Sequence, residues 1–380
     1  MIDEQVRHPL LPEQDHDELA RQNFARSFKR VIFNEITPGI KDVWEHRVGP
    51  AFEAAEGRPP ADRHEVRRVM MQDPQVKLWS SLRRVSQELL WDAVAENVER
   101  QADELVEKAR RMQGGGTLTL DPSVEAPRYI SAVDIHLMPT GYYTDTREDD
   151  VVSGALFDRG VYVYAAGQLG KLNEGYGTTI VDNFLRAEYP DFAPRRILDV
   201  GCTAGGSMLA FIDAYPDAEV HGIDIGAPVL RYGHARMKGL GRVAHFHQMN
   251  GEATSFPDSH FDVVFSTILM HETSRTALRN IFAESCRLLA PGGLMIHAEF
   301  PQYEGLDAFT QFMLDWDTYN NNEPFWGALH DTDLEALAVS VGFDRDRVST
   351  VYVPAGRQLQ TGAKKGGGGR LALTVAQRSQ

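Results

Sequence analysis

One run constrains this chain more than any other stretch: Arg196-Ile197-Leu198-Asp199-Val200-Gly201-Cys202-Thr203-Ala204-Gly205-Gly206. It reads as a buried strand emptying into a glycine turn that opens a helix. Glycine permits positive φ and lets a ligand approach where a Cβ would block it, while the helix start presents unpaired N–H groups. Such a turn grips a nucleotide-like ligand. A short glycine loop is common on its own, so the weight rests on the motifs downstream of it: Val220-His221-Gly222-Ile223-Asp224, an apolar strand closing on an acid; the turn Gly251-Glu252-Ala253; and Phe261-Asp262-Val263-Val264-Phe265, leading to Arg287-Leu288-Leu289-Ala290-Pro291-Gly292-Gly293.

Strand and helix alternate around these motifs. Helices are expected near Thr178 to Glu188 and Ser207 to Ala214, and strands at Arg196 to Val200, Glu219 to Asp224, Phe261 to Thr267 and Leu294 to Glu299, with helices between. That rhythm predicts an α/β domain with a parallel sheet covered on both faces. Two further strand-like runs, Ser349 to Val353 and Arg370 to Val375, flank Gly366-Gly367-Gly368-Gly369, a glycine connection with no helix behind it to grip a phosphate.

The front of the chain has a different texture. Helices are expected over Asp17 to Ile36, stopping before Pro38, and over Val76 to Met112, with Pro74 ahead and Gly114-Gly115-Gly116 beyond. Leu78, Leu82, Val85 and Leu89 form one apolar stripe on the second of these, suited to packing within the chain or to pairing two copies as a homodimer. The division expected is a helical domain over 1–116, a connecting or lid segment over 117–176, and an α/β domain over 177–380. In the lid segment Asp134 to Tyr143 combines apolar residues, a Pro/Gly turn, His136 and the tyrosines Tyr142 and Tyr143. Such a segment could be a lid, but ordinary interdomain packing is the commoner explanation.

With 380 residues, 42% of them hydrophobic, the chain can bury the cores of two domains. Its 39 basic against 54 acidic residues give a formal charge of -15, which disfavours nucleic acid or an anionic membrane and suits a small or cationic substrate. Two cysteines, Cys202 and Cys286, make a disulfide scaffold or thiolate metal site a poor expectation and point to a reducing interior. Met1 to Pro9 has no basic segment followed by an apolar run, and no stretch of about 18 apolar residues occurs. The expectation is a soluble, cytoplasmic protein, with no metal.

Together the motifs resemble the class I S-adenosylmethionine-dependent methyltransferases, over roughly Thr178 to Gln380 and most closely from Arg196 to Pro301. The resemblance implies a Rossmann-like domain with a mostly parallel seven-stranded sheet. It maps the family's Asp-x-Gly-x-Gly-x-Gly loop onto Asp199, Gly201, Thr203 and Gly205, with threonine in place of the middle glycine. That departure tightens the loop and sets a hydroxyl toward the methionine part of the cofactor. Asp224 would accept the ribose hydroxyls, a role the position after the second strand supports in open α/β sheets generally. Ile225 would cover the adenine, and Gly251-Glu252-Ala253 would meet its amino group through the Glu252 carboxylate and its ring through the next N–H. Ser266 and Thr267 would line the methionine end.

Methyl transfer from a sulfonium needs an acceptor held in line, water excluded, and a proton removed where the acceptor carries one. His271, just past the fourth strand, is the candidate base, with Glu272 to orient it or bind a cationic substrate and His136 as a second option; a packing role for His271 stands equally open. Within an insertion over 302–330, Trp316, Tyr319, Asn320, Asn321, Phe325 and Trp326 form a cluster of aromatics and amides that would either enclose the acceptor, with Tyr142 and Tyr143, or anchor the core. Two other readings compete. A nicotinamide-dependent oxidoreductase shares the acid after the second strand but expects Gly-x-Gly-x-x-Gly, which Thr203 breaks; a methyltransferase-like scaffold would keep the loop without turnover.

Overall fold

The computed structural model describes residues 5–355 and 369–380. Gly366, Gly367 and Gly368 of the glycine connection lie outside these residues. Eight strands form one sheet in the order β1-β4-β3-β2-β5-β6-β8-β7. They are β1 (Leu118–Thr119), β2 (Arg196–Val200), β3 (Glu219–Asp224), β4 (His245–Gln248), β5 (Phe261–Thr267), β6 (Leu289–Glu299), β7 (Val348–Pro354) and β8 (Arg370–Gln377). From β1 to β6 neighbouring strands run parallel; β8 lies antiparallel to both β6 and β7.

Alternation along the central strands explains why both faces are covered. Ile197, Val263, Phe265, Leu294 and Ile296 point to one face and meet Phe184, Met208 and Phe211 from the helical segments over 175–188 and Met208–Ala214. Leu198, Val200, Val264 and Met295 point to the other and meet Leu278, Ile281 and Phe282 from the helix Arg275–Leu288. A strand buried on two faces carries apolar side chains on both, as Ile197 and Leu198 do on β2 and Val263 and Val264 on β5. The fold is the mostly parallel Rossmann-like sheet expected, with one more strand: β1, two residues from the 117–176 segment, extends the edge beside β4.

The N-terminal region is helical but differently divided. Asp15 caps the helix His16–Val31 in a capping box with Glu18. At its end a five-residue π turn, Ile32–Ile36, lets helical conformation resume at Pro38 instead of stopping, because proline in a first turn lacks only an N–H that would go unpaired. The expected long helix is two, Pro74–Glu99 and Ala102–Arg111. Three of the four residues of the stripe chosen on it face outward, Leu78 58% exposed, Val85 42% and Leu89 37%, while Leu82 packs against the core around Ile32, Trp79 and Trp316. The helix's buried face carries Val76, Trp79, Leu90, Trp91, Val94 and Val98 interspersed with Ser80, Ser86, Gln87 and Asn97. Those polar residues disguised it. Each is hydrogen-bonded, Asn97 to the Glu13 carbonyl and Glu18, Gln87 to the His136 carbonyl.

Between the front helices and the sheet lies a helix the sequence did not announce, Val152–Tyr164. A Cβ on Gly154 would stand 2.2 Å from Tyr232, and one on Gly160 would stand 2.2 Å from Trp91. The two glycines therefore bring this helix into contact with Ala227–Gly239 on one side and Pro74–Glu99 on the other. Being buried nearly all round, it shows no amphipathic period. No helix among the described residues is long and apolar enough to cross a membrane.

Candidate active site

Parallel strands end at one edge of the sheet, where β2 leads into the glycine loop, β3 ends on Asp224 and β5 leads to the turn holding His271 and Glu272. Gly201 follows β2 at φ 73° and Gly205 lies at φ 74°. A Cβ on Gly201 would come within 2.7 Å of Leu269, so only glycine fits between the loop and the segment after β5. Thr203 occupies φ 45°, a strained conformation for a β-branched residue. Thr203→Gly is expected to raise stability by about 1 kcal/mol in thermal or urea unfolding. A loss would show that the threonine side chain holds the loop.

Asp224 closes β3 and is tied to that loop: its carboxylate accepts from the Thr203 N–H at 3.1 Å and the Gly226 N–H at 2.9 Å. Burial pushes it up to about 6, against the pull of those backbone donors. Beside it Asp199 is 1% exposed, its Oδ1 has no hydrogen-bond partner, and burial together with the Asp224 charge raises it well above the ordinary carboxylate range. Two buried acids at a glycine cradle, one with an orphaned oxygen, suit a ligand that brings hydroxyl donors and positive charge. A ribose diol and an amino-acid ammonium on a sulfonium fit those requirements.

The other cofactor-side candidates fall into two groups. Glu252 accepts from the Tyr129 hydroxyl at 3.0 Å and Asn280 Nδ2 at 2.8 Å; Ile225 is half-buried, its carbonyl taken by Gln248; a Cβ on Gly251 would press on Val200 at 2.8 Å. Ala253, by contrast, gives its N–H to the Asn250 carbonyl, so that donor is already used. Ser266 is turned from the crevice into a buried bond with His297 Nδ1 at 2.9 Å, because alternate strand residues face opposite sides; Thr267 faces the glycine-loop side and bonds Ser207 at 2.9 Å.

A second cluster adjoins the first. After β5, Met270–Glu272 forms one 3-10 turn, and Glu299 at the end of β6 receives the Met270 N–H at 2.8 Å and His271 Nδ1 at 3.0 Å. His136 reaches in from the 117–176 segment on a left-handed backbone (φ 56°, followed by Leu137 at 59°), a strained pair. Its Nε2 lies 2.9 Å from Glu272 Oε1 and its Nδ1 3.0 Å from Glu323 Oε1. Asn321 Nδ2 donates to the same Glu323 oxygen at 2.5 Å, and the Tyr142 hydroxyl donates to Glu272 at 3.1 Å. Tyr142 thereby bridges the clusters, since its carbonyl is what a Cβ on Gly226 would strike, at 2.3 Å.

Electrostatics bind this cluster together. Burial alone would lower both imidazoles, but Glu299, Glu323 and Glu272 raise His271 to about 9, and Glu323 and Glu272 raise His136 well above its ordinary value. Glu323 moves the other way: despite burial, His136 and His271 hold it below the usual range. His271 is fully buried, and its Nε2 and Glu323 Oε2 lack hydrogen-bond partners, 3.5 Å apart. Glu299 and Glu323 were not singled out from the sequence, where one is a strand's last residue and the other an acid inside a polar loop.

The insertion's residues divide. Trp326 stacks edge-on to His271 at 4.8 Å and donates its indole N–H to Tyr303, walling the cluster; Phe325 sits edge-on to Tyr129 at 6.3 Å. Trp316 is instead a core anchor, donating to Ser80 at 2.9 Å beside Trp79, with Arg83 over its ring. Tyr319 is 48% exposed under Arg67, and Asn320 bonds Ser80 and the Trp316 carbonyl. Trp316, Tyr319 and Asn320 thus stand away from the cluster. Tyr143 is half-buried against Gly141.

Sheet order, glycine cradle and paired acids accord with a Rossmann-like methyltransferase fold. Residues 197–293 match the methyltransferase domain family. The chain is 34% identical over 109 residues to a demethylmenaquinone methyltransferase of Thermus thermophilus, covering 29% of this chain and 49% of the relative. It is 30% identical over 138 residues to a malonyl-[acyl-carrier protein] O-methyltransferase of Legionella pneumophila, covering 36% and 46%. The chain spans about half the length of these curated relatives. Among solved structures, Haemonchus contortus phosphoethanolamine N-methyltransferase 2 with bound S-adenosyl-L-methionine matches at 16% identity and a TM-score of 0.38, over 52% of each chain.

Proposed function

We propose that this protein transfers a methyl group from S-adenosylmethionine to a small-molecule acceptor, releasing S-adenosylhomocysteine and the methylated product. The observation that carries the reading is the junction of two buried clusters through Tyr142: a cradle with two acids, and beside it His271 Nε2 and Glu323 Oε2, 3.5 Å apart and without hydrogen bonds. When bound, the sulfonium supplies the electrophilic methyl. The chain's own residues do the rest. Asp224 and the Gly201 turn fix the adenosyl end, Trp326 and Tyr142 exclude water, and the orphaned nitrogen and oxygen receive a polar group of the acceptor. In-line displacement results if that group points its nucleophile at the cradle. A buried polar pair left open costs free energy unless a ligand completes it, which favours turnover over a scaffold role.

The acceptor enters between the Asp134–Tyr143 segment and the 302–330 insertion. A domain division at 116 and 176 accords with this arrangement, with the helical front supporting both walls. Any homodimer through the N-terminal helices would use the outward face of Leu78, Val85 and Leu89.

Two measurements test the reading. Incubation with S-adenosylmethionine and a panel of polar small molecules, with S-adenosylhomocysteine detected, should reveal product; cofactor binding with no release across the panel would favour the scaffold. Asp224→Ala should weaken S-adenosylmethionine binding by about 1–3 kcal/mol in calorimetry, through lost ribose bonds. Unchanged affinity, or tight binding of NAD instead, would remove the assignment.

A further inference from the structure

His136 and His271 stand side by side among buried carboxylates, and His136 Nε2 pairs with Glu272 Oε1 at 2.9 Å. Each imidazole has one nitrogen fastened to a buried carboxylate: His271 Nδ1 to Glu299 Oε2 at 3.0 Å, and His136 Nδ1 to Glu323 Oε1 at 3.0 Å. Fastening one nitrogen fixes the ring's orientation and leaves the other to be presented. His136, His271 and Glu272 each offer a ligand atom, all within 4.8 Å of one another.

We propose that His136, His271 and Glu272 bind one divalent first-row transition-metal ion, of the zinc or iron(II) type, next to the cofactor cradle. Two imidazole nitrogens and one carboxylate oxygen are a donor set for those ions and a poor one for magnesium or calcium, which take oxygen. Ligands on one tetrahedral ion stand about 3.4 Å apart, so from the 4.8 Å limit the widest pair closes by up to about 1.4 Å on binding. His271 is fully buried with Nε2 unpartnered, and Glu323 Oε2, also unpartnered, stands 3.5 Å from it as a further ligand. The Tyr142 hydroxyl steadies Glu272, and the left-handed backbone at His136 is the strain that turns its ring inward.

With three protein ligands the ion retains open positions facing the cradle. They would be filled by an acceptor bearing an oxygen or nitrogen that ligates metal, and ligation lowers the acceptor's own pKa. That substrate class rests on the methyl-transfer reading; the ion site does not.

The test uses the full chain without an affinity tag, stripped with a chelator and dialysed. Zn2+ titrated by calorimetry should bind at one equivalent, and Co2+ should give visible absorption bands from a nitrogen- and oxygen-ligated ion. His136→Gln and His271→Asn should each weaken Zn2+ binding at least tenfold and abolish the Co2+ bands, while S-adenosylmethionine affinity stays within threefold. Glu299→Gln, acting through His271, should weaken Zn2+ by about 10- to 100-fold. Retained S-adenosylmethionine binding in these variants guards against misfolding, and His136, partly exposed, is the substitution least costly to the fold. No stoichiometric Zn2+ in wild type, or an equivalent that persists in both histidine variants, as on the exposed set Asp42, Glu45 and His46, overturns the site. Loss of S-adenosylmethionine binding by wild type would instead overturn the methyltransferase reading and leave the metal result standing.

Discussion

Replacing Asp158 with alanine is expected to lower the unfolding free energy by about 3–5 kcal/mol, among the largest losses any single change in this chain should produce. Asp158 is 1% exposed in the helix Val152–Tyr164 and gathers Gln5, His8, Asn173, Tyr232 and Arg236 around one carboxylate. Without it the Arg236 guanidinium, itself fully buried, keeps only the carbonyls of Ala204 and Leu172. An unpaired buried charge costs far more than the pair contributed. Urea unfolding measures the loss, and a change below about 1 kcal/mol would show that water or rearrangement rescues Arg236.

The same group predicts a pH window. Burial would raise the Asp158 carboxyl, but Arg236, His8 and Tyr232 hold it well below its ordinary value of 3.8. A carboxyl lowered by folding adds stability that is present above its unfolded pKa and lost as pH falls toward the folded one. The gap between wild type and Asp158→Ala should therefore hold from neutrality to about pH 5 and narrow only as pH falls through and below 3.8. Because Arg236 also holds the Ala204 carbonyl, the variant should bind S-adenosylmethionine more weakly as well.

His271→Ala should reduce turnover by about 10²- to 10⁴-fold while leaving cofactor affinity within threefold. The imidazole is fixed by Glu299, walled by Trp326, and presents its other nitrogen beside Glu323. Its carboxylate neighbours lie on three different elements, so no other single residue replaces it. Product formation under saturating S-adenosylmethionine checks the outcome. A variant within threefold of wild type would return His271 to the packing role that the sequence left open.

The cradle was legible because its demands are local. A turn that needs positive φ at Gly201 and Gly205, and an acid one strand later, are written in a few dozen consecutive residues. β4 was not legible, since His245-Phe246-His247-Gln248 has one apolar residue in four and owes its strand to the neighbours that hydrogen-bond to it. The helix Val152–Tyr164 was lost for the opposite reason: two glycines inside it signal breakage in isolation and close contact only in the presence of Tyr232 and Trp91. The stripe on Pro74–Glu99 was read on the wrong face because apolar residues occur on both sides of that helix.

The acceptor side depends on distance in the chain. His136, His271, Glu299 and Glu323 come from four segments, and no spacing rule connects them. His271 and Glu272 were visible from their place after β5; Glu299 and Glu323 gain meaning only once the strand ends assemble. Trp316 and Trp326 show the limit most plainly. Ten residues apart in one aromatic-rich loop, they diverge into a core anchor and a site wall.

The glycine contacts of Val152–Tyr164 also decide where the molecule can yield. A helix interlocked at Gly154 and Gly160 with partners on two sides has no room to slide, so that flank of the site is fixed. On the methyl-transfer reading proposed above, a gate would fall to Asp134–Tyr143, where His136, Leu137, Thr140 and Gly141 all hold left-handed backbone. Swinging it outward would relax those torsions while breaking the grip of His136 on Glu272 and Glu323, so that closing the door and assembling the chemistry become one event.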